Sequence, residues 1–174
     1  MKSTRIYLFM ALLIFLIPTV AFTKGSWKTL KTEHFTVFYT TQFEAEAWQC
    51  LKILEYYRPE VEKISGNKAA HLSVVIDDTG TLVNGYSNAI ANQLHLFKYP
   101  PQGGWAGVEN WWSMVGVHEY THHLTLAKTG GMPGFIAKIF GNNLLLFPLP
   151  NLVAPGWVIE GITVYNESQL SPFQ

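Results

Sequence analysis

The segment V-G-V-H-E-Y-T-H-H-L, residues 115–124, places three histidines and one glutamate inside an apolar run. On a helix, residues four apart lie on one face, so His118 and His122 can direct imidazole nitrogens at a common point. Zinc suits such a pair, because it binds neutral imidazole and a hydrolytic site leaves one position for water. Glu119 would then be the base that takes a proton from this water. The segment therefore predicts a helix that carries a metal site.

Buried histidines that only satisfy hydrogen bonds are the alternative interpretation of this pattern. The pattern lies in an apolar helix, with Val115 and Val117 before it and Leu124 after it, and this context favours the metal site. His123 would be rotated by about 100° from His122 on a helix. We therefore expect His123 to face away from the metal and to support either the structure or a ligand.

The charge and cysteine content limit the possible functions. Twelve basic and twelve acidic residues give a net charge of zero, without a basic stripe, so a nucleic-acid partner is not expected. Cys50 is the single cysteine, which excludes a thiolate zinc cluster built from this chain. Any metal must therefore be held by histidine and carboxylate side chains.

A catalytic zinc site usually has three protein ligands, so a third ligand is needed. Residues 155–168, P-G-W-V-I-E-G-I-T-V-Y-N-E-S, predict a further helix. Glu160 is flanked there by apolar residues, where an unpaired carboxylate is costly, and it is the favoured third ligand. Glu167 lies on nearly the same face and is expected to orient a ligand or a substrate amine, or else to be a solvated surface residue. Weaker candidates for the third ligand are His34, His71, His95, Asp77, Asp78 and Glu109.

The hydrophobic pattern predicts strands and helices in the order of an α+β fold. A helix should begin at the capping box T-Q-F-E, residues 41–44, and end at Gly66. The helix that carries the three histidines is expected over residues 108–127. Strands are expected at residues 34–40, 71–78 and 92–99, with a loop over residues 79–87.

A strand next to the site would provide a place for substrate. If residues 88–97, N-A-I-A-N-Q-L-H-L-F, form the edge of the sheet beside the site, their unpaired backbone groups can dock a peptide as an added strand. Asn88, Ala89 and Asn92 are the candidate residues of this substrate strand.

The N-terminus predicts targeting. Lys2 and Arg5 precede an apolar run, residues 6–20, and small residues follow it. The run is shorter than the roughly 20 residues that span a bilayer, which favours a cleaved signal peptide, residues 1–23; an uncleaved anchor is the alternative. The mature domain, residues 24–174, is then expected in the periplasm or outside the cell.

The segments H-E-Y-T-H-H and G-W-V-I-E-G-I-T-V-Y resemble the gluzincin peptidases, in which a glutamate-bearing helix follows the HExxH helix. From about Trp27 to its end, the chain is more closely similar to the peptidase MA-like domains of exported bacterial proteins, which are often joined to a Tol-type β-propeller. The resemblance implies a zincin-like fold: a small twisted mixed sheet on the HExxH helix, plus a third helix with the glutamate. It implies one zinc ion held by His118, His122 and Glu160, with Glu119 as catalytic base.

The chain departs from the gluzincin pattern in two respects. An apolar insertion, residues 141–153, lies between the two motifs. This insertion is expected to contact a membrane, or to pack over the site or against a domain absent from this chain. The chain also stops soon after Glu167 without a propeller, so a C-terminally truncated domain is one expectation.

The sequence thus predicts an exported zinc metallopeptidase that acts on a peptide or protein substrate. Two alternatives stay open. The first is a non-catalytic envelope module that keeps the fold and binds a partner. The second is a zinc hydrolase that acts on bonds other than peptide bonds.

Overall fold

The computed structural model describes residues 26–78, 84–89, 91–98, 111–128 and 154–170. These residues form a five-stranded sheet and three helices, the α+β arrangement that the sequence predicts. The strands are β1 (Trp27–Lys31), β2 (Phe35–Thr40), β3 (Leu72–Asp77), β4 (Gly85–Asn88) and β5 (Gln93–Phe97). The helices are α1 (Glu44–Ser65), α2 (Trp111–Leu126) and α3 (Gly156–Leu170).

Two expectations from the sequence fall on other parts of the chain. The expected signal peptide, residues 1–23, and the apolar insertion, residues 141–153, lie outside the described residues. Within the described part of the chain, no helix combines the length and the apolar character needed to cross a membrane.

The sheet is mixed, with the strand order β1-β2-β3-β5-β4. β3 lies parallel to both β2 and β5, whereas β1 and β4 pair antiparallel at the two edges. The expectation that residues 88–97 form an edge strand is therefore wrong, because β5 lies between β3 and β4. The expected loop over residues 79–87 is also wrong at its end, since β4 begins at Gly85 and forms the edge.

One face of the sheet carries the core. Inward residues alternate with outward residues along β2, β3 and β5, as expected of strands that are covered on one side. α1 and α2 cover the inward face, and α3 packs on α2. The ring of Tyr120 on α2 meets the ring of Phe35 edge-on, at 5.5 Å between ring centroids. Inward residues that are at most 2% exposed are Phe35, Val37, Tyr39, Leu72, Val74, Ile76, Leu94 and Leu96.

Helix α1 ends as predicted but does not begin with the expected capping box. Gly66 terminates it in the left-handed conformation, at φ 61°, which glycine adopts without a steric penalty. At the other end, residues 41–43 form a 3₁₀ turn, and the hydroxyl of Thr41 donates to the carbonyl of Ser26 instead of capping the helix. Cys50 is buried on the inward face of α1, as expected, and burial raises the pKa of its thiol to about 12.

A buried carboxylate ties α2 to α1. Glu62 is 5% exposed, and its two oxygens accept hydrogen bonds from the Tyr120 hydroxyl at 2.9 Å and from Arg58 at 2.8 Å. The side-chain amide of Asn67 also donates to the carbonyl of Leu124 at 2.8 Å. Since an unpaired carboxylate in this position would be costly, the contacts with Glu62 hold the middle of α2 in one position against α1.

Candidate metal centre

Helix α2 brings two imidazoles together on one face. His118 and His122 lie one turn apart, and their Nε2 atoms are 3.1 Å from each other. Both side chains are mostly buried, with 22% and 11% of their surface exposed. The helical spacing of the sequence motif therefore produces the convergence of nitrogens that it predicts.

Helix α3 adds a carboxylate to this pair. Oε2 of Glu160 lies 3.5 Å from Nε2 of His118 and 3.4 Å from Nε2 of His122. Two ligands about 2.0 to 2.2 Å from a tetrahedral zinc ion would lie about 3.3 to 3.6 Å apart. Both distances to Glu160 fall in this range, and the 3.1 Å between the two nitrogens is slightly shorter, so a zinc ion would require a small separation of the two imidazoles. Among the described residues, these three form the one group of His, Cys, Asp or Glu side chains close enough to share a metal ion.

The expectation that Glu160 is a buried carboxylate in an apolar environment is wrong. Its side chain is 62% exposed, so no desolvation cost calls for a metal, and the neighbouring Trp157 is 77% exposed. The residues that α3 buries are instead the small polar Thr163 and Asn166. The amide of Asn166 donates to the hydroxyl of Thr121 on α2, at 3.4 Å. This contact belongs to the interface by which α3 packs on α2, and the same packing places Glu160 beside the two imidazoles.

Glu167 contacts a histidine of the site. Its Oε2 lies 3.0 Å from Nδ1 of His118, on the side of the ring away from Glu160. The side chain is 23% exposed, which disagrees with a solvated surface residue. Burial lowers the pKa of His118, but the hydrogen bond to Glu167 and the nearby carboxylates outweigh burial and raise it overall. A carboxylate is one of the usual partners of the second ring nitrogen in a metal-binding histidine.

Unlike His118, His122 has no hydrogen-bond partner on its second ring nitrogen among the described residues. This nitrogen, Nδ1, is buried. Burial lowers the pKa of His122, and the positive charge of His118 lowers it further. A neutral imidazole is the form that binds a metal, so the environment of His122 favours the form required.

Glu119 lies beside the two histidines and is only 4% exposed. Burial raises the pKa of its carboxyl to about 7, although the neighbouring His118 opposes this shift. A carboxyl with a pKa near neutrality can both accept and return a proton at physiological pH. A cation in the site would lower this pKa again, because a nearby positive charge favours the carboxylate.

Strand β4 forms the opposite wall of the site. A cavity of about 400 Å³ lies between this strand and the two helices. Gly85 allows the close approach, because a Cβ at this position would lie 2.7 Å from Cγ of Glu119 and 2.8 Å from Cγ2 of Val115. The cavity is lined by Asn84, Gly85, Tyr86, Ser87, His118, Glu119, His122, Leu126, Ile159 and Glu160.

The residues expected to bind a substrate strand lie beside the part of β4 that lines the cavity, and do not line it themselves. Asn88 is the last residue of β4, while Ala89 and Asn92 belong to the turn that follows. None of the three is among the residues that line the cavity. The part of the edge that faces the site is residues 84–87, where the sequence predicted a loop.

The weaker candidates for a third ligand lie elsewhere among the described residues. His34 pairs with Glu55, and His95 pairs with Asp77 at 2.7 Å.

The remaining candidates have other partners. His71 contacts the hydroxyl of Thr36 and the carbonyl of Glu33. Asp78 pairs with Lys98. Glu109 lies outside the described residues.

His123 is not among the side chains that converge as ligand candidates, as expected, and it does not line the cavity. It is 2% exposed, and burial lowers the pKa of its imidazole to about 4, so it is neutral near pH 7. Its Nδ1 lies 3.3 Å from the hydroxyl of Ser87 in β4. Sequence patterns do not indicate this contact, because they predict a loop where β4 forms.

Comparison of the chain with protein-family models, with curated proteins and with solved structures gives no match.

The close approach of Gly85 to α2 predicts that a larger residue at this position lowers stability. We expect Gly85→Ala to lower the free energy of unfolding by about 1 to 3 kcal/mol, because the new methyl group overlaps Glu119 and Val115. Gly161→Ala is the matched control, because its Cβ would have no atom within 4 Å and alanine favours a helix interior. Urea unfolding of both variants measures the effect. Equal stability of Gly85→Ala and the parent would contradict the close approach.

Proposed function

We propose that this chain is a zinc-dependent metallopeptidase with a zincin-like fold, in which His118, His122 and Glu160 hold one zinc ion. The observation that carries the proposal is the triangle formed by Nε2, Nε2 and Oε2 of these residues, with sides of 3.1, 3.4 and 3.5 Å. Two imidazoles and one carboxylate are also a ligand set of known zinc hydrolases. Bound zinc would polarise the scissile carbonyl and acidify a water molecule.

Glu119 is the proposed proton carrier. It lines the same cavity as the three ligand candidates, and its side chain lies close to Gly85 of β4. In this position it can take the proton from water and return it to the leaving amine. The raised pKa caused by burial is consistent with a group that changes its protonation state during turnover.

The substrate would be an extended peptide that adds to the edge strand β4. Phe97 donates its N–H to the carbonyl of Asn84, so these two residues form a hydrogen-bonded pair across the sheet. Such pairs alternate along antiparallel strands, and the main-chain groups of Ser87 therefore point away from β5. No strand among the described residues pairs with this side of β4. A peptide bound there would lie along the cavity wall.

Export and membrane contact are part of the proposal on sequence grounds only. The apolar N-terminal run, with basic residues before it, supports export as a signal peptide or an anchor. A partner domain such as a propeller belongs to the same proposal, through the resemblance to the peptidase MA-like domains.

The zinc site can be tested without a substrate. We expect the purified protein to bind close to one zinc ion per chain, and His122→Ala to lose this binding, because one of the three ligands is removed. Elemental analysis after dialysis against a metal buffer measures the content. His71→Ala is the control, since His71 directly precedes β3 and contacts Thr36. Equal zinc content in His122→Ala and the parent would refute the site and favour a non-catalytic module.

The role of Glu119 requires a separate variant. We expect Glu119→Gln to keep its zinc and to lose hydrolysis by about 100-fold or more, because the amide keeps the shape of the side chain but cannot accept a proton. Zinc content and kcat on a peptide mixture are measured on the same preparation. Turnover at the parental rate would show that another group is the base.

Glu167 is expected to tune metal affinity. Since it contacts His118 at 3.0 Å, Glu167→Gln should weaken zinc binding by about 10- to 100-fold and still bind zinc at saturation. Competition with a chelator of known affinity gives the dissociation constant. Glu33→Gln, which alters a side chain that is 87% exposed, controls for the loss of one negative charge. An unchanged dissociation constant in Glu167→Gln would mean that the contact with His118 has no effect on the metal.

A further inference from the structure

Ser87 lies on the face of β4 that is turned towards the helices. It stands directly opposite Leu94, which is fully buried, and residues that are opposite each other in a sheet share a face. Its hydroxyl reaches Nδ1 of His123 on α2 at 3.3 Å. Ser87 also lines the cavity that contains the ligand candidates. The residue therefore places a hydroxyl group at the wall of the site, between strand and helix.

His123 fixes the position of this hydroxyl. The imidazole is 2% exposed on a helix that Glu62 anchors to α1, so it has one orientation. A buried imidazole needs a hydrogen-bond partner, and the hydroxyl of Ser87 provides one. A hydroxyl group can donate one hydrogen bond and accept two. The contact with His123 therefore leaves Ser87 able to bond to a second group inside the cavity.

The pairing of β4 determines which part of a substrate would meet Ser87. The main-chain N–H and C=O of Ser87 point to the side of β4 that has no strand partner among the described residues. A peptide added there would therefore place one residue opposite Ser87. The side chain of that residue would lie on the same face as the Ser87 hydroxyl. Leu126 and Ile159 contribute apolar wall to the same cavity. The resulting subsite combines the Ser87 hydroxyl on the strand side with apolar wall from two helices, beside the polar side chains of the candidate metal centre.

We propose that Ser87, held by His123, is a specificity-determining residue, and that it selects peptides whose residue opposite Ser87 carries a hydroxyl or amide side chain. This inference rests on the proposed peptidase function. A hydroxyl or amide side chain of the substrate can form a second hydrogen bond with the Ser87 hydroxyl. An apolar side chain of equal size excludes water from that hydroxyl and leaves its second hydrogen-bonding position unused, which penalises binding.

Paired peptides test the proposal. Zinc-loaded protein is assayed on peptides that differ only by serine against alanine, threonine against valine, or asparagine against leucine, at each position around the cleaved bond. We expect the parent to prefer the polar member at one position by about two- to tenfold in kcat/KM, the range of one neutral hydrogen bond. Ser87→Ala should abolish this preference while keeping zinc. Ser73→Ala should retain it, because Ser73 pairs with Gln93 on the opposite face of the sheet.

A second measurement reports the contact itself. In ¹H–¹⁵N spectra of the histidine side chains, the nitrogen shifts of His123 should change in Ser87→Ala and stay constant in Ser73→Ala. Unchanged shifts, or a polar preference that survives in Ser87→Ala, would overturn the role of Ser87. A zinc-loaded parent that cleaves no peptide would instead refute the proposed peptidase function, and the inference with it.

Discussion

The buried contact between Asn166 and Thr121 determines where the carboxylates of α3 lie. Both residues are fully buried, and the amide of one donates to the hydroxyl of the other. The small polar side chains on this face of α3 allow it to approach α2 closely, and the hydrogen bond, at 3.4 Å, is a polar contact inside this interface. Glu160 and Glu167 lie on either side of Asn166 along the chain, so a change at this contact moves both carboxylates relative to the imidazoles of α2.

Local rules predicted the parts of the structure that depend on short sequence segments. The two histidines converge because four residues make one turn, whatever surrounds them. Gly66 ends α1 because glycine adopts the left-handed conformation that the end of this helix needs. The alternation of buried and exposed residues in β2 and β3 follows from strand geometry. None of these features requires knowledge of a distant part of the chain.

The features that the sequence did not predict depend on distant contacts. β4 contains glycine, serine and asparagine, which have a low intrinsic preference for strands, and it forms because it pairs with β5 and fits against Glu119. The capping box failed because the hydroxyl of Thr41 bonds to Ser26 instead. The apolar neighbours of Glu160 predict a buried side chain, yet it is exposed and lies beside the imidazoles because α3 packs on α2. In each case a tertiary contact outweighed the local preference.

The three ligand candidates differ in how firmly the fold holds them. His118 and His122 belong to α2, which is anchored to α1 through the buried carboxylate of Glu62. Glu160 belongs to α3, whose outer face is exposed and includes Trp157 and Tyr165. Segments with few buried apolar contacts open locally at a lower free energy than the whole protein. A metal ion at this centre would therefore exchange with solvent through the transient detachment of α3, while the rest of the domain stays folded. The lifetime of the bound ion would then reflect the docking of one helix and not the global stability of the protein.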